Sequence, residues 1–162
     1  MDEESYESEY KPVVLEDGTV KLKKKSEMKK GKKSKAKGNK FEMIVRRDLE
    51  SKGWIVDKWS NNIEGGKIIP AKRKFNPFSK VMAIGTGFPD FIAFQLIDSG
   101  NYKVIGIEVK VNGVLSKEEK EKCKYYLERN IFSEMHVASK IGNGKDEKVD
   151  YTDVKNILER MR

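Results

Sequence analysis

Residues 85–110 read Gly-Thr-Gly-Phe-Pro-Asp-Phe-Ile-Ala-Phe-Gln-Leu-Ile-Asp-Ser-Gly-Asn-Tyr-Lys-Val-Ile-Gly-Ile-Glu-Val-Lys. Two apolar runs flank Asp98-Ser99-Gly100-Asn101, the composition of a short hairpin loop. The stretch predicts two antiparallel strands in the middle of a sheet. Side chains alternate along a strand, so Val104, Gly106, Glu108 and Lys110 face one way and Ile105, Ile107, Val109 and Val111 the other. Glu108 and Lys110 then stand roughly 7 Å apart along the strand.

A carboxylate and an amine at the end of an apolar strand call for a partner, because buried charges are costly unless paired or bound to metal. Asp90, which follows Pro89 and opens the neighbouring strand, supplies a second carboxylate. Two hard oxygen ligands beside a lysine suit Mg²⁺ better than zinc, which calls for His and Cys. Such a site can activate water and hold a phosphate.

Outward from this stretch, charge is unevenly spread. The 162-residue chain carries +8 overall, with −6 over residues 1–20, +10 over 21–40 and +4 over the remainder. A mildly basic domain with a strongly basic arm favours a polyanionic partner, of which nucleic acid is the commonest. Cys123 is the single cysteine, so an intramolecular disulfide framework is ruled out and a reducing interior is expected. No apolar run approaches the roughly 18 residues of a membrane span, and the N-terminus is acidic where a signal peptide is basic and then apolar. The expected location is intracellular and cytoplasmic, or the host cytoplasm for a viral protein.

Residues 1–37 pair an acidic block with a lysine-rich one and lack hydrophobic periodicity apart from Val13-Val14-Leu15. They read as a disordered arm, with Lys32, Lys33, Lys35 and Lys37 as candidate phosphate contacts. The folded domain is expected over 38–162. A helix opens at Asn39 with Glu42 at capping-box spacing, buries Phe41, Ile44, Val45 and Leu49, and ends at Gly53. Trp54 to Trp59 alternates as a first strand.

From Ser60 to Thr86 the pattern breaks into a long loop, with Ile68-Ile69 or Val81 to Ile84 able to form a short extra strand. Lys72, Arg73, Lys74 and Lys80 lie there among Phe75 and Phe78, a mixture that commonly meets phosphates and bases. After the central hairpin and an Asn112-Gly113 turn, Ser116 caps a second helix with Glu119 at the third position. Cys123, Tyr126 and Leu127 form its buried face, and Asn130 ends it. Ser133 to Ser139 reads as a strand in which His136, the only histidine, is structural. Gly142 to Lys148 is a polar loop, and Thr152 opens a terminal helix carrying Val154, Ile157, Leu158 and Met161.

Pro89-Asp90 followed by Glu108-Val109-Lys110, set at the start of one strand and the end of the next, resembles the signature of the PD-(D/E)XK nuclease superfamily. The order helix, three strands, helix, strand over about residues 38–140 is similar to its αβββαβ core. The resemblance is greatest to the VRR-NUC and archaeal Holliday junction resolvase-like branches, through Gly38-Asn39-Lys40-Phe41-Glu42, Asn61-Asn62, Arg73 with Phe75, Gly85 to Asp90, Ile107 to Lys110 and Leu115-Ser116. VRR-NUC-like domains tend to carry a glutamine about where Glu119 stands, a departure from the pattern.

The resemblance implies an α/β (α+β) restriction-endonuclease-like fold, a central mixed sheet flanked by helices, behind the basic arm. It implies that Asp90, Glu108, the Val109 carbonyl and Glu42 hold Mg²⁺, with Mn²⁺ able to substitute, and that Lys110 completes the catalytic set. The competing role for Glu42 is the helix cap. The expected function is a metal-dependent DNA endonuclease, structure-specific and homodimeric by analogy with junction resolvases. The alternatives are a catalytically silent nucleic-acid-binding module of the same fold, or a nuclease acting on RNA or single strands.

Overall fold

A computed structural model describes residues 9–14, 19–71, 73–76, 81–84, 87–142 and 144–160. The chain divides into two compact units, Met1–Lys40 and Phe41–Arg162. In the first, β1 (Tyr10–Val14) and β2 (Val20–Lys24) form an antiparallel hairpin with Tyr10 opposite Lys24 and Val14 opposite Val20. The helix α1 begins directly after it and runs Lys25–Ser51, crossing the division between the units.

The arm expected to be disordered thus contains a hairpin and half a helix, and the helix start expected at Asn39 is corrected to Lys25. Lysine and alanine are good helix formers, and extending a helix costs far less than nucleating one. The core-anchored half can therefore propagate through Gly31 and Gly38. Gly53, at φ +83°, follows the helix end as the glycine pattern predicted.

In the second unit the strands β3 (Ile55–Lys58), β8 (Phe91–Asp98), β9 (Asn101–Val109), β10 (Glu134–Ile141) and β11 (Lys148–Asp153) form one sheet in the order β11-β10-β9-β8-β3. The β3–β8, β8–β9 and β10–β11 pairs are antiparallel and β9–β10 is parallel. Parallel neighbours need a crossover connection, which the helix α2 (Lys117–Glu128) supplies. The architecture is mixed α/β, with a central mixed sheet and helices on both faces.

One sheet face packs on α1. Phe41, Val45 and Leu49 recur at helical spacing and meet Val56, Phe91, Ala93, Ile105, Ile107 and Ala138, all buried. The other face packs Cys123 and Tyr126 of α2 with Phe88, Leu115, Phe132, Met135, Val137 and Val154. A fully buried side chain of this size contributes about 1.5–3 kcal/mol, so each face has its own core. Gly106 sits where Phe132 closes on the sheet, since a Cβ there would lie 3.0 Å from the Phe132 ring and 3.1 Å from Pro89 Cγ. At the edge of the sheet, Arg46 Nη2 donates to the Val56 carbonyl at 2.9 Å.

The stretch 60–86 is no single loop. It holds the hairpin β4 (Asn61–Glu64) with β5 (Lys67–Pro70), and the hairpin β6 (Arg73–Asn76) with β7 (Val81–Ile84). Gly65 and Gly66 both have positive φ, as the two-residue hairpin turn requires. The first hairpin is tied down by bonds from Phe88 N–H to the Asn61 carbonyl and from the Tyr125 hydroxyl to the Gly66 carbonyl, 2.8 and 3.0 Å.

A second correction falls at the C-terminal end. Thr152 is a strand residue of β11, and Asp153 is the true cap, accepting from Lys155 N–H at 2.8 Å to open the short helix α3 (Val154–Glu159). Val149 and Tyr151 turn toward the core while Lys148 and Asp150 stay exposed, a period-two pattern hidden by its polar composition. Met161 lies outside the described residues.

Candidate active site

Register brings the central charges together. Phe91 of β8 pairs with Ile107 of β9, so the next position along this antiparallel pair sets Asp90 beside Glu108, and opposed residues share a face. Each carboxylate is tied to the other residue's strand. Asp90 N–H donates to Glu108 Oε2 at 3.2 Å, and Val109 N–H donates to Asp90 Oδ2 at 2.9 Å. Glu108 is only 5% exposed, the one buried charged side chain among the described residues.

Lys110 follows β9, and its ammonium lies 3.0 Å from Glu108 Oε1 and 2.5 Å from Glu119 Oε1. Ser116 caps α2 as predicted, its hydroxyl accepting from Glu119 N–H while Glu119 Oε2 accepts from Ser116 N–H at 2.7 Å. Glu119 therefore holds a helix start with one oxygen and Lys110 with the other. The cap accounted for only half of that, and the Lys110 contact was not foreseen because α2 approaches the end of β9 only through the tertiary fold.

On the other side, Glu42 is well inside α1 and does not cap it. Its carboxylate is paired with Lys58 of β3, whose ammonium also lies 4.6 Å from the centre of the Phe91 ring. Lys58 was missed in the sequence. Its alternation out of the strand was visible, but a cation on an alternating edge strand gives no sign of the helix it meets.

Burial pushes the Glu108 carboxyl up to about 8, with the Asp90 charge adding to it and Lys110 opposing. Asp90 is also raised, first by burial and then by Glu42, against the Val109 N–H, Lys58 and Lys110. Burial works against the Lys110 ammonium, yet its bonds to Glu119 and Glu108 leave it raised. Glu119 is lowered despite its own partial burial, because Lys110 and the Ser116 backbone favour its ionised form. Beneath them burial pushes the Cys123 thiol up to about 12, with Glu108 and Glu119 adding, so the cysteine is an apolar packing group at neutral pH.

When Glu42, Asp90, Glu108 and Glu119 are all ionised, Lys58 and Lys110 leave the cluster two positive charges short of balance. A divalent cation would balance that charge. Among the described residues no three His, Cys, Asp or Glu side chains are gathered as a metal-holding group, and Glu42 is paired with Lys58. The side-chain carboxylates that strand register sets side by side are those of Asp90 and Glu108. That suffices for Mg²⁺, which is usually held by one or two carboxylates with waters and substrate phosphates.

Of the other predicted contacts, Lys32, Lys33, Lys35 and Lys37 lie exposed on the first half of α1, in the other unit. Arg73 and Lys74 belong to β6, and their side chains lie outside the described residues, as do Lys72 and Lys80. His136 Nε2 is 3.0 Å from Glu134 Oε2, which leaves it a pairing role within the sheet. No helix among the described residues is long and apolar enough to cross a membrane. Comparison with protein-family models, curated proteins and solved structures finds no match for this chain.

Proposed function

We propose that the protein is a metal-dependent nuclease whose substrate is DNA, with Asp90, Glu108 and Lys110 as its catalytic set. The observation that carries this reading is the pair of cross-tied, desolvated carboxylates at adjacent strand ends with an ammonium beside them. A buried structural ion pair needs one carboxylate and one cation; the second carboxylate raises the cost of both, and an excess of negative charge next to a lysine suits a metal and a phosphate.

In this reading Asp90 and Glu108, with the Val109 carbonyl, hold Mg²⁺ or Mn²⁺. The chemistry the bound ion supplies is acidification of a coordinated water and stabilisation of charge on the phosphodiester. Lys110 offsets charge growing on the phosphate oxygens or orients the water, and Glu119 fixes its direction. The lysine-rich stretch and the strand carrying Arg73 and Lys74 supply sequence-independent phosphate contacts. The resemblance to junction resolvases adds a homodimer with two symmetric sites.

The test is incubation with labelled linear duplex, single strand, flap, four-way junction and RNA, each with Mg²⁺, Mn²⁺ or EDTA, beside Glu108→Ala. Metal-dependent cleavage that disappears in the variant supports the nuclease and names its substrate. Binding without cleavage under every metal would replace it with a silent nucleic-acid-binding module of the same architecture.

A further inference from the structure

The β1–β2 hairpin of the first unit carries its uncompensated charge on one side. Opposed residues of an antiparallel pair share a face, and the register sets Lys11 opposite Lys23 and Val13 opposite Lys21. Lys11, Val13, Lys21 and Lys23 therefore form one face. Tyr10 with Lys24 and Pro12 with Leu22 belong to the other, where the Lys24 ammonium lies 5.7 Å from the centre of the Tyr10 ring. Like charges directly opposed work against their own hairpin. Lys11, Lys21 and Lys23 are all exposed, and among the described residues none of them has a carboxylate within ion-pair reach. The sheet has only these two strands, a size that is marginal in water by itself. Directly after it, α1 places Lys25, Lys29, Lys33 and Lys37 at successive i,i+4 positions, again like charges side by side. A polyanion relieves the repulsion in both elements.

We propose that the Lys11, Lys21 and Lys23 face of the ribbon is a second nucleic-acid contact, seated on the phosphates of a duplex. The inference rests on nucleic acid as the partner and is independent of the metal centre. The composition of the face selects the duplex. Single strands are held largely by stacking their bases on aromatic rings, and the lysine face has none, since Tyr10 belongs to the opposite side. A two-stranded ribbon fits the major groove of a duplex. Lysines that meet phosphates fix position without reading bases, so the contact is blind to sequence.

The experiment is fluorescence anisotropy of labelled duplex and single-stranded DNA of mixed sequence, titrated with the full chain in EDTA over a series of KCl concentrations. Wild type is compared with Lys23→Gln, Lys24→Gln and the triple variant Lys11→Gln/Lys21→Gln/Lys23→Gln. On a duplex each phosphate contact contributes about 0.9 to the slope of log affinity against log salt. Lys23→Gln should therefore be about 0.9 shallower than wild type and the triple variant about 2.7 shallower. Lys24→Gln should match wild type, although these neighbouring residues lose the same charge. A duplex of unrelated sequence should give the same slopes. The triple substitution relieves repulsion within the hairpin, so it does not put the fold at risk.

An unchanged slope in the triple variant removes the ribbon from the duplex and leaves the wider nucleic-acid reading standing. Equal losses from Lys23→Gln and Lys24→Gln also overturn the inference, because unoriented charge would then suffice. Losses larger on the single strand than on the duplex overturn the assignment to a duplex. Absence of binding by wild type to either DNA at every salt concentration overturns DNA as the partner and this inference with it.

Discussion

The buried carboxyl of Glu108 makes the stability of the metal-free protein depend on pH in an unusual direction. Its ordinary value is 4.5, and in the fold it is pushed up to about 8. Below pH 4.5 both the folded and unfolded chains carry this proton, and its contribution to stability is fully present. As pH rises the unfolded chain ionises first while the folded one keeps its proton, so stability falls until the folded carboxyl itself ionises near pH 8. At about 1.4 kcal/mol for each unit, the loss is roughly 3–5 kcal/mol, a large part of the 5–15 kcal/mol typical of a domain.

The groups facing Glu108 fix the control. Asp90, also raised, adds in the same direction; Lys110, Glu119 and Cys123 complete the surroundings. Glu108→Gln retains an acceptor for Asp90 N–H but removes the titration. Urea unfolding in EDTA between pH 5 and pH 8, followed by the fluorescence of Trp54 and Trp59, should show wild type losing several kcal/mol with rising pH and Glu108→Gln losing much less. Adding Mg²⁺ should restore wild-type stability at pH 8 more than at pH 5, because the ion requires the ionised carboxylates. Parallel wild-type and variant profiles would refute the reasoning.

Asp90→Ala or Lys110→Ala should abolish cleavage while leaving most DNA affinity, as gel shifts alongside the cleavage assay would show; unfolding of both variants by circular dichroism would instead mark a structural ion cluster. Deleting residues 1–37 should weaken DNA binding and reduce its dependence on salt concentration, and an unchanged slope would remove the lysine-rich stretch from the interface. Tyr126→Phe removes the acceptor of the Trp59 indole N–H, 3.1 Å away. It should cost about 1–3 kcal/mol in urea unfolding, the penalty for an unpaired, partly buried donor, and an unchanged midpoint would show that the indole finds another partner.

The central hairpin was legible because its apolar runs are long and its turn is marked by Asp, Ser, Gly and Asn. Those same features located Asp90, Glu108 and Lys110, since strand register converts sequence spacing into proximity. Ser116 and Glu119 were equally readable, for a capping box is a local device. What failed to be read is non-local or disguised. Asn39 looked like a helix start because caps are recognised by composition, and nothing in Gly38-Asn39 says that an already nucleated helix passes through it. β11 was hidden because only Val149 and Tyr151 carry its apolar side. Lys58 and the second bond of Glu119 depend on which helix crosses which strand end, information that no window of sequence contains.

Arg46 also has a bearing on how copies of the chain behave when crowded. At high concentration neighbouring copies of any chain meet repeatedly. An edge strand with unsatisfied carbonyls would invite those copies to join sheets. With the Val56 carbonyl already taken by the Arg46 guanidinium, a joining strand would first have to displace a charged donor. Close approach of copies at this edge can then remain reversible, and the side chain that covers this carbonyl serves colloidal stability as well as the fold.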